Sequence, residues 1–558
     1  MKASDLFVKC LENEGITHIF GVPGEENADF MLSLDGSSIE FVLCRQEQGA
    51  AFMAEVYGRL TGNPAGALGT LGPGATNLIT PVADANMDRA PMLVLTGQGQ
   101  TTRQHKESHQ VMNVVAMYEP VTKWAHSIRH PDNIPEVIRK AVRTTRMEKP
   151  GAVLIELAED IATLDAATEP ITVRRFMRPA PERASVDRAF EMMVHAKRPV
   201  IIAGNGTLRK VASQQLRRFS RLTDIGVAST FMAKGCIDCD DPNCLFTIGL
   251  QSRDHVTCAI EASDLVITIG YDMVEYPPRL WNPDADKRIV HIDFLPAEID
   301  RYYHPEVELV GDIASALSML IERVSRYEQP LNFELEHQRA AREAMLRDID
   351  EYRDDETEGV IKPQRAICDV RTALGPDDIL LSGVGAHKMW VARHYHCHQP
   401  NTCLIPNGFC AMGMPLPGAI AADIVIRQGL DGGSIDRKVF GIVGDGDFLM
   451  NVQEMETARR LNSNINMLIW EDGGYGLISW KQDTEHGRHS NLAFGNPDWC
   501  GLAQSFGWQG QCVANSADLP AALESALNHD GPSLIAIPID YRENPKLTER
   551  LGKIVCPI

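Results

Sequence analysis

The 558-residue sequence has no long hydrophobic run and no excess of positive charge. No apolar stretch approaches the roughly eighteen residues that a membrane-spanning helix requires. Its 75 acidic and 54 basic side chains give a formal net charge of −21, which disfavours nucleic acid or an anionic membrane as a partner. The N-terminal residues lead into an amphipathic helix pattern rather than a signal peptide, so we expect no membrane association and a cytoplasmic location.

Cysteine is present without the spacing of a disulfide framework. Thirteen cysteines are scattered along the chain, which predicts reduced, buried thiols. Two segments, 236–244 and 394–403, partly match the spacing of zinc sites. The first has no fourth ligand close by, and the second follows a helix pattern and precedes a strand pattern. Both segments are therefore interpreted as surface connections.

Short apolar runs alternate with helical patterns throughout the chain. Hydrophobic residues make up 44% of the sequence and charged residues 23%, which is typical of globular proteins. A chain of this length exceeds what one core can organise, and the alternation favours parallel sheets. We therefore predict an α/β protein with three doubly wound parallel-sheet domains, at residues 1–167, 186–325 and 360–545.

Two acidic, glycine-rich turns near the C-terminal end carry the clearest chemical signal. Val443-Gly444-Asp445-Gly446-Asp447 closes an apolar run, and Glu471-Asp472-Gly473-Gly474-Tyr475-Gly476 follows the next run after an intervening helix pattern. Glycines let the backbone come close to a ligand, a helix N-terminus favours anionic oxygens, and carboxylates suit Mg²⁺. The paired turns predict a site that holds a divalent metal and a diphosphate together.

This pair of turns resembles the diphosphate motif of thiamin-diphosphate enzymes, and other segments agree with that family in order along the chain. The segments that match acetolactate-synthase-like members are 20–24, 44–54, 57–59, 72–77, 384–387 and 407–413. The resemblance extends from about residue 4 to about residue 544. It implies an N-terminal pyrimidine-binding domain, a central domain and a C-terminal diphosphate-binding domain.

The resemblance also implies which residues bind the coenzyme. Glu47 is the carboxyl that bonds the pyrimidine N1′, while Pro23 and Gly24 form the first cofactor loop. The Cys410 carbonyl accepts a hydrogen bond from the 4′-amino group, and Met412 lies beneath the coenzyme. The other implied coenzyme-binding residues are Gly385, Ala386, His387, Gly444, Asp445, Gly446, Asp447, Asp472, Gly474, Tyr475, Gly476, Leu477 and Ile478. The implied Mg²⁺ ligands are Asp445, Asp472 and the Gly474 carbonyl.

Two places depart from the family pattern around the metal and the central domain. Glu471-Asp472 stands where two asparagines are commonest, but the catabolic acetolactate synthases share the aspartate, and we predict that Glu471 lies outside the metal shell. Gly204-Asn205-Gly206 opens like a dinucleotide fingerprint but lacks the third glycine. Segment 269–282 resembles the catabolic, FAD-independent synthases, so FAD is not expected.

The acceptor side of the predicted site also resembles the catabolic synthases. In those enzymes a His-Gln pair lies over the coenzyme, and His109-Gln110 matches it. His109 is predicted to donate to the substrate and Gln110 to stabilise a developing alkoxide, although a structural role for His109 stays open. Both residues and Glu47 form the predicted catalytic set.

The predicted substrate pocket contains two exchanged charges. Its implied residues are Glu26, Leu477, Trp480 and Lys481. Glu25-Glu26 stands where the catabolic enzymes carry a lysine, and Lys481 stands where they carry a glutamine. Either the cation has moved between loops and still holds an anionic acceptor, or the substrate differs.

The resemblance implies a decarboxylase and carboligase of 2-oxo acids that uses thiamin diphosphate and Mg²⁺. The leading hypothesis is acetolactate synthase, which joins two pyruvate molecules into 2-acetolactate with loss of CO₂. The alternatives are decarboxylation that releases an aldehyde, an inactive coenzyme-binding subunit, and a flavin or nicotinamide oxidoreductase. In the family the coenzyme lies between the first domain of one chain and the third domain of another, so a homodimer or homotetramer is implied.

Overall fold

The structure, a computed structural model, describes residues 1–174, 177–209, 211–250, 254–356 and 358–547. Its described part contains three parallel sheets of six strands each. Parallel strands covered by helices on both faces are apolar along their whole length. The strand Ala65–Gly69, for example, is buried at every position. The predicted α/β class with three parallel-sheet domains is confirmed.

The first sheet has the strand order β2-β1-β3-β4-β6-β5. Its strands are β1 His18–Gly21, β2 Glu40–Leu43, β3 Ala65–Gly69, β4 Met92–Gln98, β5 Trp124–Ser127 and β6 Ala152–Ala158. The α-helices of this domain are α1 Ala3–Asn13, α2 Ala28–Leu34, α3 Glu47–Thr61, α4 Pro73–Asn77, α5 Ile79–Met87, α6 Val114–Tyr118, α7 Ile134–Arg146 and α8 Glu159–Thr163. Helix α3 ends at Thr61 because Gly62 adopts a left-handed conformation with φ 68°.

The central sheet has the order β12-β11-β10-β7-β8-β9. Its strands are β7 Pro199–Ala203, β8 Val227–Ser229, β9 Cys244–Thr247, β10 Leu265–Ile269, β11 Arg288–Asp293 and β12 Val307–Val310. The helices are α9 Arg183–His195, α10 Ala212–Thr223, α11 His255–Glu261, α12 Ile313–Arg326 and, after the sheet, α13 Glu336–Asp350. This is the strand order of dinucleotide-binding folds.

The third sheet, β14-β13-β15-β16-β18-β17, repeats the connectivity of the first. Its strands are β13 Ile379–Ser382, β14 Cys403–Leu404, β15 Val439–Gly444, β16 Ile465–Glu471, β17 Gln509–Cys512 and β18 Ser533–Pro538. The helices are α14 Pro363–Ala373, α15 Ala386–His394, α16 Pro415–Arg427, α17 Asp445–Leu449, α18 Glu454–Arg460, α19 Gly476–His486, α20 Trp499–Ser505 and α21 Leu519–Leu527. The first and third domains therefore share one strand order.

The two outer domains share one hydrophobic core. Helix α3 of the first domain packs against α16 of the third, and residues of both, such as Phe52 and Ile420, belong to the same buried cluster. The central domain has a separate core that includes Phe219 and Trp281. Among the described residues, no helix combines the length and the apolar character needed to cross a bilayer.

Both cysteine-containing segments were wrongly interpreted as surface connections. Cys236, Cys239 and Cys244 of the first segment are buried, as are Cys397 and Cys403 of the second. The backbone N–H of Cys239 donates to the Cys397 carbonyl at 3.0 Å, so the segments pack against each other between the central and third domains. Neither segment could reveal this contact alone, because their partners lie far apart in sequence.

The expectation of reduced thiols without a disulfide framework was wrong for a minority of the cysteines. Cys500 on α20 and Cys512 on β17 are joined by a disulfide, because the helix packs along that strand and brings their Cα atoms to 6.3 Å. Cys258 is also disulfide-bonded. Among the described residues, nine other cysteines are free thiols.

Candidate active site

The two acidic turns lie side by side at the carboxyl edge of the third sheet. β15 and β16 pair so that Gly444 stands opposite Trp470, and both strands therefore deliver their turns to the same edge. The first turn becomes the start of α17 at Asp445, and the second leads into α19 at Gly476. The strand order reverses between β13 and β15, and open α/β sheets bind ligands at such a switch point.

A cleft opens at this edge of the sheet. Its lining residues are Val384, Gly385, Ala386, His387, Met412, Gly444, Asp445, Gly446, Asp447, Asp472, Gly474, Tyr475, Gly476, Leu477, Ile478 and Tyr541. The structure thus brings together every coenzyme-binding residue predicted in the third domain except Cys410. Val384 and Tyr541 are additional to the predicted set. Tyr541 follows the last strand of the sheet, and that position at the carboxyl edge was the available signal for it.

The acidic residues of the cleft are placed close enough to affect each other's ionisation. Asp445 is 1% exposed, and its Oδ2 accepts hydrogen bonds from the Gly473 N–H and the Asn496 amide, each at 2.8 Å. Desolvation, followed by the charge of Asp445, raises the pKa of Asp472 to about 7. A divalent cation would relieve this repulsion, and carboxylates are its preferred ligands. The residues present therefore fit a Mg²⁺ ion.

Asn496 is a further polar residue at the carboxylates. Its amide nitrogen donates to Asp445 and, at 3.1 Å, to Glu471 Oε1. Its Oδ1 atom is buried without a hydrogen-bond partner. An orphaned oxygen of this kind beside two acids can accept a bond from a metal-bound water. No motif in the sequence indicated Asn496, because it reaches the site from a loop twenty residues beyond the end of the second turn.

Asp447 connects the segments that surround the cleft. Its Oδ2 accepts a hydrogen bond from the Val384 N–H at 2.9 Å, and its Oδ1 accepts one from the Gly413 N–H. His387 Nε2 lies 3.5 Å from the same carboxylate. Asp447 is 1% exposed, so these bonds are shielded from water. The carboxylate fixes the spacing of three chain segments around the cleft.

Cys410 lies just outside the cleft lining in the segment that carries Met412. Its backbone is left-handed, with φ 63°, which is uncommon for a residue other than glycine. The ammonium of Lys388 lies 3.2 Å from Cys410 Sγ and 3.0 Å from Asn407 Oδ1. Lys388 is 6% exposed, so the segment is fixed from one side by a buried cation.

Glu47 lies in the first domain, at the first residue of α3. The helix begins there because the Gln46 side chain accepts the Gln48 N–H at 2.5 Å. Glu47 is 8% exposed, and its Oε2 accepts a bond from the Asn77 amide at 3.0 Å. A Cβ atom on Gly74 would lie 3.3 Å from Glu47 Oε1, so the glycine leaves space beside the carboxylate.

The first cofactor loop follows β1 and packs on the turn after β3. The Gly24 N–H donates to Asn27 Oδ1 at 2.7 Å. A side chain at Gly24 would lie 2.4 Å from the Thr70 side chain, so only glycine permits this approach. Pro23 precedes it at an exposed position. Pro23 and Gly24 are therefore placed at the same sheet edge as the turn beside Glu47.

The predicted His-Gln pair lies on an exposed loop of the first domain. Gln110 has a left-handed backbone with φ 57°, and its Cβ lies 3.0 Å from the position of a Cβ on Gly72. Gln110 therefore contacts the turn that runs from Gly72 to Gly74 beside Glu47. His109 is exposed next to it.

The predicted substrate-pocket residues are divided between two domains. Leu477 lines the cleft, whereas Trp480 lines an adjoining depression that shares Asp472 and Tyr541 with it. The Lys481 side chain is 64% exposed and lies 3.9 Å from Glu485 of the same helix. Glu26 belongs to the first domain, where it accepts a bond from Thr70 at 2.9 Å. One chain therefore does not bring these four side chains together.

A cation lies near Glu26 that the sequence motifs did not indicate. Arg103 Nη2 is 3.9 Å from Glu26 Oε1 and 3.2 Å from Glu159 Oε1. Arg103 belongs to the same loop as His109, and its Nη1 donates to Ser108 at 3.4 Å. Glu26 is thus paired within its own domain.

The two halves of the predicted site do not line one cleft within a single chain. The described residues that line the cleft all belong to the third domain. Glu47, His109 and Gln110 are grouped in the first domain and line no part of that cleft. A complete site therefore requires that the first-domain group be supplied from outside this cleft.

Family profiles match all three domains. The N-terminal TPP binding domain of thiamine pyrophosphate enzymes matches residues 1–117, the central domain matches 186–320, and the C-terminal TPP binding domain matches 383–537. The profile boundaries enclose the turn beside Glu47 and both acidic turns.

Relatives of similar length match over nearly the whole chain. "Acetolactate synthase, catabolic" of Raoultella terrigena is 34% identical, covering 98% of this chain and 97% of that relative. "Acetolactate synthase" of Bacillus subtilis (strain 168) is 32% identical, covering 99% and 97% respectively. "Acetolactate synthase isozyme 2 large subunit" of Escherichia coli (strain K12) is 30% identical, covering 98% and 96%. With these matches over three domains and with its acidic cleft, the chain belongs to the thiamine pyrophosphate enzymes.

Proposed function

We propose that the protein is a Mg²⁺- and thiamin-diphosphate-dependent acetolactate synthase that converts two pyruvate molecules into 2-acetolactate and CO₂. The observation that carries the proposal is the pair Asp445 and Asp472 at the glycine-lined cleft of the third sheet. The similarity to relatives named acetolactate synthase supports the choice of reaction.

The third domain would hold the charged end of the coenzyme. Asp445, Asp472 and the Gly474 carbonyl would bind Mg²⁺, which neutralises the diphosphate, and the N-terminus of α19 would favour its oxygens. Met412 lines the cleft, where it would support the coenzyme from below, and the adjacent Cys410 carbonyl would accept a bond from its amino group. When bound, thiamin diphosphate supplies the electron sink that a 2-oxo acid needs to lose CO₂.

The first domain would supply the proton chemistry. Glu47 would hold a proton at the pyrimidine N1′, since its carboxylate is buried and oriented by Asn77. His109 would donate to the substrate carboxylate or carbonyl, and Gln110 would stabilise negative charge on the acceptor oxygen. The carboxyl edge of a parallel sheet is where such residues can converge on a ligand.

The active unit would be a homodimer or a larger homo-oligomer with sites between chains. Within one chain, the cleft is lined by the third domain, while Glu47 stands elsewhere. A second copy would place its first domain over the cleft and complete the site in both directions, as a two-fold interface does. Neither nucleic acid nor a membrane is proposed as a partner, and the cytoplasm stays the predicted location.

We propose further that the central domain binds no flavin. A side chain at Gly204 would lie 2.5 Å from the Gly270 carbonyl, so this glycine serves contact with the neighbouring strand. The Asn205 N–H, at the turn where a dinucleotide fold would present donors to a pyrophosphate, donates instead to Glu275 Oε1 at 3.2 Å. The Glu275 carboxylate thus accepts the hydrogen bond that the pyrophosphate of a dinucleotide would otherwise accept.

The proposed activity is tested by supplying pyruvate, Mg²⁺ and thiamin diphosphate and identifying the products by NMR. We expect 2-acetolactate to be the main product. Acetaldehyde as the main product would instead support the non-ligating decarboxylase. Absence of turnover in coenzyme-loaded protein would contradict both enzymatic hypotheses.

The matched control for this experiment is Glu47→Gln. The variant keeps the size of the side chain but cannot hold the proton at N1′. Thiamin diphosphate should still bind, while turnover should fall by about 10²–10⁴-fold. Undiminished turnover would contradict the role of Glu47.

A further inference from the structure

Buried carboxylates connect each outer domain to the coenzyme-binding segment of the other outer domain in the same chain. Glu454 of the third domain reaches the segment that precedes Glu47. Asp84 and Asp88 of the first domain reach the segment that carries Cys410 and Met412. We propose that Glu454, Asp84 and Asp88 are positioning residues that set the two halves of the active site from opposite domains.

Glu454 holds the start of helix α3. It is 0% exposed, and its Oε1 accepts hydrogen bonds from the Arg45 N–H at 3.2 Å and the Gln46 N–H at 3.1 Å. A Cβ atom on Gly49 would lie 2.6 Å from the same oxygen, so the glycine lets the carboxylate reach the helix N-terminus. An anion at this end of a helix is electrostatically favoured. The residue that follows these two donors is Glu47.

A hydroxyl fixes the orientation of Glu454. The Thr457 hydroxyl donates to Glu454 Oε2 at 2.6 Å, one turn along α18. Oε2 also accepts the Arg45 N–H at 3.3 Å, so both carboxylate oxygens contact the first-domain backbone. Burial raises the pKa of Glu454, and its N–H and hydroxyl donors act against that rise. The geometry is that of a fixed acceptor rather than a solvent-exposed acid.

Asp84 and Asp88 hold the segment before Met412. Asp88 Oδ1 accepts the Gly408 N–H at 2.6 Å, and Asp84 Oδ1 accepts the Ala411 N–H at 3.1 Å. Both aspartates are 0% exposed and lie one helical turn apart on and just after α5. Their two acceptors bracket Cys410, whose carbonyl and left-handed backbone belong to the same segment.

The charges around this segment are arranged on both of its sides. Arg59 pairs with Asp88 at 3.1 Å, and Lys388 holds the segment from the third domain. Glu55, which is 0% exposed, adds a third carboxylate and has no hydrogen-bond partner for either oxygen. Burial, followed by the charges of Asp84 and Asp88, raises the pKa of Glu55 far above its usual range.

The proposal rests on the proposed coenzyme site, because it assigns these carboxylates an effect on Glu47, Cys410 and Met412. It predicts different kinetic signatures for the two contacts. Displacing the start of α3 should affect turnover, since Glu47 would hold the proton at the coenzyme N1′. Displacing the segment of Cys410 and Met412 should affect coenzyme binding, since that segment would contact the coenzyme directly.

The experiment compares alanine variants with amide variants at Glu454 and Asp84. Glu454→Ala should lower kcat by about tenfold or more while the Kd for thiamin diphosphate changes less than about threefold. Asp84→Ala should raise that Kd by about tenfold. Glu454→Gln and Asp84→Asn retain an acceptor oxygen, and both should recover to within about threefold of the unaltered protein.

The matched control is Asp423→Ala in the third domain. Asp423 is 4% exposed and pairs with Arg427 at 2.9 Å, but it contacts neither coenzyme-binding segment. The control should lose thermal stability without the split between kcat and coenzyme affinity. If the alanine variants do not fold, Glu454→Asp tests the same contact, because its shorter side chain cannot reach the Arg45 and Gln46 N–H groups.

Several results would overturn the proposal. These are unaltered kinetics in Glu454→Asp or Glu454→Ala, amide variants no better than alanine variants, and a split equally strong in Asp423→Ala. A metal ion bound stoichiometrically at Glu55, Asp84 and Asp88 would also overturn it. Failure of the unaltered protein to form acetolactate would contradict the proposed function instead, and coenzyme titration of Asp84→Ala would still test the positioning role.

Discussion

At the scale of single residues, the site depends on groups whose ionisation is controlled by their neighbours. Asp445 is fixed by four donors, the Gly446, Asp472, Gly473 and Asn496 nitrogens, and it acts on Asp472 as a nearby negative charge. Two carboxylates this close together repel each other without a counter-ion, and a bound cation offsets that repulsion. The acidic pair would therefore bind Mg²⁺ more tightly than a pair of neutral ligands would.

Replacing one member of this pair should weaken metal binding. Asp472→Ala removes a hard oxygen ligand, so the Mg²⁺ concentration for half-maximal activity should rise by about 100-fold. Titration of activity with Mg²⁺ measures this. Asp472→Asn keeps an oxygen and should lie between the alanine variant and the unaltered protein. An unaltered Mg²⁺ dependence in Asp472→Ala would exclude the residue from the metal site.

Glu275 gives a prediction about pH and stability. Burial raises the pKa of Glu275 from 4.5 to about 7. Unfolded chains release this proton from about pH 4.5 upward while the native state retains it, so the contribution of Glu275 to stability falls as the pH rises from about 4.5 to about 7 and is constant above that window. Each pH unit in the window changes the free energy of unfolding by up to about 1.4 kcal/mol.

Glu275→Gln removes this titration while it keeps an acceptor for the Asn205 N–H. The difference in Tm between the variant and the unaltered protein should therefore increase in favour of the variant between pH 5 and pH 7. Glu306→Gln, at an exposed position of the same domain, is the control. A difference that is the same at all pH values would show that Glu275 does not titrate in this window.

At the scale of secondary-structure elements, helix α19 forms one wall of the cleft and begins at a glycine for a steric reason. A Cβ on Gly476 would lie 2.3 Å from Asp472 Oδ2 and 3.0 Å from the Tyr541 ring. A larger residue would push the helix start away from the acidic turn. The N-terminus of α19 would then no longer face the diphosphate.

Gly476→Ala should therefore impair coenzyme binding more than folding. We expect the Kd for thiamin diphosphate to rise by about 10–100-fold, because both the metal ligand and the helix start are displaced. Isothermal titration measures the Kd. Gly36→Ala is the control, since a Cβ at that glycine meets nothing within 4 Å. Equal coenzyme affinity in the two variants would contradict this role for Gly476.

The sequence predicted the elements that local patterns define and missed what distant contacts define. The two acidic turns and Glu47 could be placed because each follows an apolar strand, and strand ends fix a position at the sheet edge. Tyr541 and Asn496 reach the cleft through folding of the third domain, with no motif of their own. The buried packing of Cys239 on Cys397 joins segments more than 150 residues apart, so no local pattern could predict it.

At the scale of the whole molecule, the two outer sheets have the same strand order, and this places a group of predicted site residues in each outer domain. In the first and third sheets, the strand order reverses between the first and third strands of the domain. Each sheet presents its predicted functional turns at the carboxyl edge there. The shared core between α3 and α16 fixes these two domains relative to each other. Each chain therefore carries two different predicted half-sites, one in each outer domain.

Subunit complementation tests whether the half-sites combine between chains. Glu47→Gln and Asp445→Asn should each be inactive alone. Random mixed dimers of the two should regain about a quarter of the activity, because half of the dimers are mixed and each contains one intact site. Co-expression with two affinity tags and an acetolactate assay measures this. If the mixture stays inactive, the site forms within one chain.

Because every wall of the cleft comes from one domain, a solitary subunit would grip the charged tail of the coenzyme and leave its reactive ring facing water. Dilution would then abolish the activity without releasing the coenzyme. Specific activity would fall as the protein concentration is lowered, while the coenzyme content per polypeptide stayed constant. Coenzyme binding and activity would therefore respond differently to dilution.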